Sequence, residues 1–123
     1  MYHYKVDVSR FQVKDVYDGD TLRLWIDVGF SVSVREKIRM AEINAPELRG
    51  ENREKALKSR DYLRARLELA KRNGSEVTIR TIKDRKGKYG RYLGILYIDE
   101  ECINETMLSK GFAEPYVKIK DTK

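Results

Sequence analysis

The chain has 123 residues, of which 37% are charged and 41% hydrophobic, with 26 Lys and Arg against 20 Asp and Glu. That length suits one domain with a modest core, and the hydrophobic share excludes a disordered chain. A lone histidine, His3, and a lone cysteine, Cys102, exclude a Ser-His-Asp or Cys-His centre, a structural zinc site and an internal disulfide.

The first residues, Met1-Tyr-His-Tyr-Lys-Val-Asp-Val, read as a loose leader, which puts His3 out of reach of any centre. No basic patch precedes an apolar run there, and no stretch approaches the ~20 apolar residues of a membrane span. With the missing disulfide this points to a cytoplasmic protein, expected to be a monomer. A first strand is predicted over about Phe11–Val16, because apolar and polar residues alternate. Asp18-Gly19 then supplies a hairpin turn in which Gly would take positive φ. A second strand is predicted over Thr21–Val28, with Leu22, Leu24 and Trp25 as barrel core and edge. Gly29 breaks it, and a third strand is predicted over about Ser33–Ile43 and ends before Pro46, which cannot donate to a ladder.

A helix is predicted over about Glu51–Arg72. Ala56, Ser59, Leu63, Leu67 and Ala70 fall on one stripe at spacings of three and four, and Asn73-Gly74 supplies the stop. Two further strands, Glu76–Lys83 and Arg91–Ile98, flank the basic loop Asp84-Arg-Lys-Gly-Lys-Tyr-Gly90, and a short helix over about Glu101–Lys110 ends at Gly111. Three strands, a helix, two strands and a helix suit a mainly β, α+β fold: a five-stranded OB-like Greek-key barrel with the long helix between strands three and four. Residues 118–123 read as a tail, leaving a core of about 11–116.

Three clusters carry chemistry: Asp18-Gly-Asp-Thr21, the segment Ile38-Arg-Met-Ala-Glu-Ile-Asn-Ala-Pro-Glu47, and Lys88-Tyr-Gly-Arg91. Taken singly, each is a turn, a strand end or a solvated loop. Together they offer oxygen donors for a hard cation, a carboxylate base and two guanidinium groups. Hydrolysis of a phosphodiester needs those parts, since charge on the phosphate must be offset, a water handled and the growing charge on phosphorus met. The formal net charge of +6 favours a polyanionic partner.

In these motifs, and in Asn104-Glu-Thr-Met-Leu-Ser-Lys-Gly-Phe-Ala113, the chain resembles the staphylococcal-nuclease-like (thermonuclease) domain over about Phe11–Tyr116. The resemblance implies a calcium-dependent endonuclease, with Mg2+ or Mn2+ as other cations, acting on DNA, RNA or both and leaving 3′-phosphate ends. It also implies that Asp20, Asn44 and the Ala45 carbonyl hold the metal and that Glu47 orients or deprotonates water. Arg39 and Arg91 would hold the phosphate and stabilise the transition state, while Lys88, Tyr89 and Tyr116 would contact substrate. The family's two-carboxylate metal site has Asn44 here, which implies weaker calcium binding unless Glu47 or Asp18 compensates. The chain's end leaves no room for the family's usual C-terminal helix. The other implied function is a catalytically weak or inactive nuclease-like domain that binds nucleic acid.

Overall fold

The computed structural model describes residues 2–86 and 91–116, the side chains of 83–86 excepted. Five strands close a barrel: β1 (Tyr2–Val6), β3 (Thr21–Asp27), β4 (Ser33–Met40), β6 (Val77–Lys86) and β7 (Tyr92–Ile98). Around it the order is β1-β6-β7-β4-β3 and back to β1, and only β4 and β7 run parallel. Strand β2 (Val16–Asp18) forms a hairpin with β3, and β8 (Glu101–Cys102) pairs with β7. A separate two-stranded ladder joins β5 (Ile43–Asn44) to β9 (Glu114–Pro115). The expected OB-like architecture is observed, with helix α1 (Arg53–Asn73) between the third and fourth barrel strands and α2 (Ile103–Ser109) after the fifth.

Alternation explains why the strands stay in place. Leu22, Leu24 and Ile26 of β3, Ile38 and Met40 of β4, Ile79 of β6 and Leu96 and Ile98 of β7 are buried in one core. Helix α1 lays Ala56, Ser59, Leu63, Leu67 and Ala70 against the barrel, the stripe that its spacing predicts. Burial of each leucine contributes about 1.5–3 kcal/mol. The helix stops at Gly74, whose φ of 67° places it in the left-handed region and whose N–H donates to the Ala70 carbonyl. None of the helices among the described residues is long and apolar enough to cross a membrane.

Several boundaries differ from the sequence reading. The expected leader is a barrel strand: β1 pairs Tyr2–Lys5 with Thr81–Thr78 of β6 and sets Val6 opposite Ile26 of β3. The expected first strand over Phe11–Val16 is instead a 3-10 turn at Val13–Asp15 followed by the short β2. Asp15 is responsible, because its carboxylate accepts the Gln12 N–H at 2.9 Å and Arg35 Nη2 at 2.7 Å, holding the segment as a turn. The third strand ends at Met40 because Glu42 adopts φ 69°, and the chain re-forms as β5. Trp25 lies on the outer face of β3, while Leu22 and Leu24 point inward.

One buried amide fixes the end of β4. Asn104 Oδ1 accepts the Leu96 N–H at 2.9 Å, and its Nδ2 donates to the carbonyls of Ala41 at 2.9 Å and Gly94 at 3.2 Å. Helix α2 is thereby tied to the turn between β4 and β5. Gly94 is glycine because an added Cβ would come within 2.8 Å of Ile79 and 3.1 Å of Ile38, where three strands crowd together.

Candidate active site

The β2–β3 hairpin carries the first acidic motif. Asp18 Oδ1 accepts the Asp20 N–H at 3.1 Å, a side-chain-stabilised turn of the kind aspartate favours. Gly19 is needed for space and not for a positive φ, which it does not adopt. A Cβ there would stand 1.8 Å from Ser59 Oγ on α1 and 2.9 Å from the Ala45 Cβ. The hairpin is thus pressed between the helix and the segment that follows β4.

Asp20 is buried, at 6% exposure, and both of its oxygens are engaged. Oδ2 accepts the Ala45 N–H at 2.7 Å and lies 3.4 Å from Arg39 Nη1, while Oδ1 accepts the Thr21 hydroxyl at 3.1 Å. Its own carbonyl accepts the Met40 N–H at 2.8 Å, joining the hairpin to the end of β4. Residues far apart in sequence are locked around one carboxylate.

Arg39 folds back over the β4–β5 turn. Its Nη1 donates to the carbonyls of Met40 at 2.8 Å and Ile43 at 2.9 Å, and Nη2 makes a looser 3.4 Å contact with Asn44 Oδ1. The Tyr116 ring lies over this guanidinium, with 5.7 Å from Cζ to the ring centroid. Tyr116 is held there by its N–H, which donates to the Glu42 carbonyl at 3.0 Å just beyond the β5–β9 ladder. Asp20, Arg39, Asn44, Ala45 and Tyr116 therefore share one site.

Asp18 reports the local electrostatics. Burial, a hydrogen bond with Asp20 and the Asp20 charge together push its carboxyl up from 3.8 to about 6. Two close carboxylates with one arginine, 3.4 Å from Asp20, leave negative charge that a cation would relieve. The donor set fits a hard cation: two Asp carboxylates, the Asn44 amide oxygen and the Ala45 backbone are oxygen ligands of the type calcium takes. Among the described residues no three His, Cys, Asp or Glu side chains converge, so the amide and a backbone carbonyl would have to complete the set.

The remaining candidates are less closely gathered. Glu47 lies in the exposed turn after β5, where its carbonyl accepts the Gly50 N–H at 3.0 Å, and its carboxylate makes no hydrogen bond or ion pair among the described residues. Arg91 is half-buried and immediately precedes β7; Leu93, two residues on, stands opposite Arg39 in the parallel β4–β7 ladder. Arg91 thus sits at the entry to the strand that neighbours Arg39. Lys88 and Tyr89 lie outside the described residues. The Thr21 hydroxyl and the buried Asn104, which holds the turn from behind, take part in the arrangement without having been singled out as site residues. Thr21 belongs to the motif Asp18-Gly-Asp-Thr21 and Asn104 opens the motif Asn104–Ala113, which were their signals, but the second motif does not by itself mark Asn104 as a buried hub.

The family model described as staphylococcal nuclease homologue matches residues 37–123, which include Arg39, Asn44, Glu47 and Arg91. The match begins within β4 and leaves the Asp18–Thr21 hairpin outside it. No curated protein matches the chain.

Proposed function

From the premise that the chain belongs to the staphylococcal nuclease homologue family, we propose that it is a calcium-dependent endonuclease that hydrolyses phosphodiesters of DNA, RNA or both and leaves 3′-phosphate ends. The observation that carries this reading is the Arg39 guanidinium, 3.4 Å from both Asp20 Oδ2 and Asn44 Oδ1. A phosphate-binding cation and oxygen ligands suited to calcium stand side by side.

Asp20, Asn44 and the Ala45 carbonyl hold the metal in this proposal, with Asp18 as the nearby second carboxylate. Calcium, with Mg2+ or Mn2+ as other candidates, supplies charge neutralisation at a phosphate oxygen when bound. Glu47 orients a water or takes its proton as the water oxygen bonds to phosphorus. The bond from phosphorus to the 5′-oxygen breaks, a proton passes to that oxygen, and the phosphate stays on the 3′ side. Arg39 and Arg91 donate to the equatorial oxygens, for which planar guanidinium geometry suits better than an ammonium. Lys88, Tyr89 and Tyr116 contact the nucleotide; Tyr116 already covers one face of Arg39.

The neutral Asn44, together with the lack of a three-carboxylate cluster among the described residues, favours a second reading. In it the domain cleaves weakly or not at all and retains nucleic-acid binding. End-group analysis of single- and double-stranded DNA and RNA, digested in calcium and again in EGTA, separates the two. Calcium-dependent 3′-phosphate ends support the nuclease, and intact substrate that still co-migrates with the protein supports the binder.

A further inference from the structure

Away from Arg39 the outer faces of β3 and β4 continue as a basic ladder. Their register sets Thr21 opposite Arg39, Arg23 opposite Lys37 and Trp25 opposite Arg35. Residues two apart share a strand face, so Arg39, Lys37 and Arg35 line one side and Arg23 and Trp25 the other. The guanidinium of Arg23 and the ammonium of Lys37 each lie 5.8 Å from the Tyr17 ring centroid. At the far end Arg10 stacks on Trp25, with Cζ 3.6 Å from the ring centroid, and Arg35 approaches it at 6.0 Å. A groove of about 400 Å³ opens there, lined by Arg10, Gln12, Lys14, Asp15, Trp25 and Arg35.

The groove's single carboxylate does not repel an anion. Asp15 is buried, and its oxygens are taken by Arg35 and the Gln12 N–H. Arg10, Lys14, Arg23 and Lys37 form no ion pair among the described residues. Four cations without carboxylate partners on one face repel one another, and a polyanion relieves that repulsion. Trp25 and Tyr17 among them supply the second element of a single-strand platform, since unpaired bases stack on aromatic rings and on guanidinium planes.

We propose that this groove and ladder form a second, non-catalytic binding site for single-stranded nucleic acid. Lys14, Arg23 and Lys37 meet successive phosphates, and an unpaired base packs on the Arg10–Trp25 stack. The four residue steps from Arg39 to Arg35 span about 13 Å at the rise of a strand, so one short strand can occupy this surface and reach the Asp20–Arg39 site. Binding here does not depend on the hydrolytic reading.

Trp25 is the sole tryptophan of the chain, so tryptophan emission reports on this groove alone. The test titrates an oligothymidylate of about 12 nucleotides, within the usual span of an OB fold, into the protein in EDTA, following Trp25 emission and, with a labelled strand, anisotropy. Saturable change in Trp25 emission at the concentrations that raise anisotropy is expected. In the Lys14→Ala/Arg23→Ala/Lys37→Ala variant, affinity should fall by about tenfold or more, and the slope of log K against log salt should become shallower by about 2. A circular dichroism melt checks that this variant folds, and Lys37→Glu alone replaces it if it does not. The proposal is overturned by anisotropy saturating with Trp25 emission unchanged, by wild-type affinity and salt slope in the variant, by a duplex of the same length binding as tightly, or by no binding at all. Because EDTA removes any metal, failure of this site and failure of the nuclease reading are scored independently.

Discussion

Ala45 donates its backbone N–H to Asp20 Oδ2 at 2.7 Å, across 25 residues of sequence. This bond makes Asp20 a structural pin as well as a proposed metal ligand, and two substitutions separate the roles. Asp20→Ala leaves the Ala45 N–H without an acceptor and should cost about 1–3 kcal/mol of stability. Asp20→Asn keeps an oxygen for that N–H and should cost less, yet it removes the charge that the cation requires. Urea unfolding and digestion assays on both variants check this. An Asp20→Asn protein with wild-type turnover would remove Asp20 from the site.

Arg39 and Arg91 are proposed to meet the transition state. Loss of one such donor costs about 10² to 10³ in rate, so Arg39→Ala and Arg91→Ala should each lower turnover by that order. Arg39→Lys should not restore it, because an ammonium cannot reproduce the paired guanidinium contacts. Arg39 also holds the Met40 and Ile43 carbonyls, so its alanine variant should melt earlier than wild type. Less than about tenfold loss of turnover in both alanine variants contradicts the assigned roles.

Asn44 is the neutral member of the proposed donor set. Calcium affinity follows ligand charge, so Asn44→Asp should lower the calcium concentration that half-saturates activity. Isothermal titration with calcium alone gives the same answer without turnover. An unchanged calcium dependence in both measurements would place the ion elsewhere.

The parts of the molecule that local pattern controls were legible in the sequence. Leu22, Leu24 and Ile26 alternate into the core, and Ala56 to Ala70 repeat at helical spacing, so the barrel and long helix follow from periods of two and 3.6. The grouping of Asp20, Arg39 and Asn44 was suggested by motif order, because a hairpin and one further strand bring the three together. Long-range partnerships carried no such signal. Tyr2–Val6 is a strand because β6 lies beside it, more than seventy residues later in the chain. The turn at Val13–Asp15 depends on Arg35, and the cover over the outward-facing Trp25 comes from Arg10, in a segment that precedes the strand. Gly19 looked like a turn glycine from the Asp-Gly pair alone; only the approach of Ser59 reveals a steric reason.

Asp18 gives the site a pH signature. Its carboxyl is pushed up from 3.8 to about 6, foremost by burial and then by Asp20, so the folded protein holds a proton there that the unfolded chain has lost. Between those values stability falls as pH rises, since the folded state binds more protons than the unfolded. In EDTA the melting temperature of wild type relative to Asp18→Asn should therefore decline from pH 4 to pH 6 and level off above. Added calcium favours the ionised form, so its stabilising effect on wild type should be larger at pH 7 than at pH 5. A wild-type-minus-variant difference that is flat with pH would refute the upward displacement of the Asp18 carboxyl.

Gly19 and Ser59 supply the last test, because they couple the acidic hairpin to helix α1. Gly19→Ala puts a methyl group 1.8 Å from Ser59 Oγ and should cost about 1–3 kcal/mol through overpacking. Ser59 Oγ is buried without a hydrogen-bond partner, so Ser59→Ala alone should be neutral or stabilising. The double variant removes the clashing oxygen and should recover part of the loss, since the nearest neighbours of the new methyl are then the Ala45 Cβ at 2.9 Å and the residue-59 Cβ at 3.0 Å. Non-additive unfolding free energies of that sign confirm that the helix sets the position of Asp18 and Asp20. Simple additivity of the two substitutions would mean that the hairpin is placed by the barrel alone.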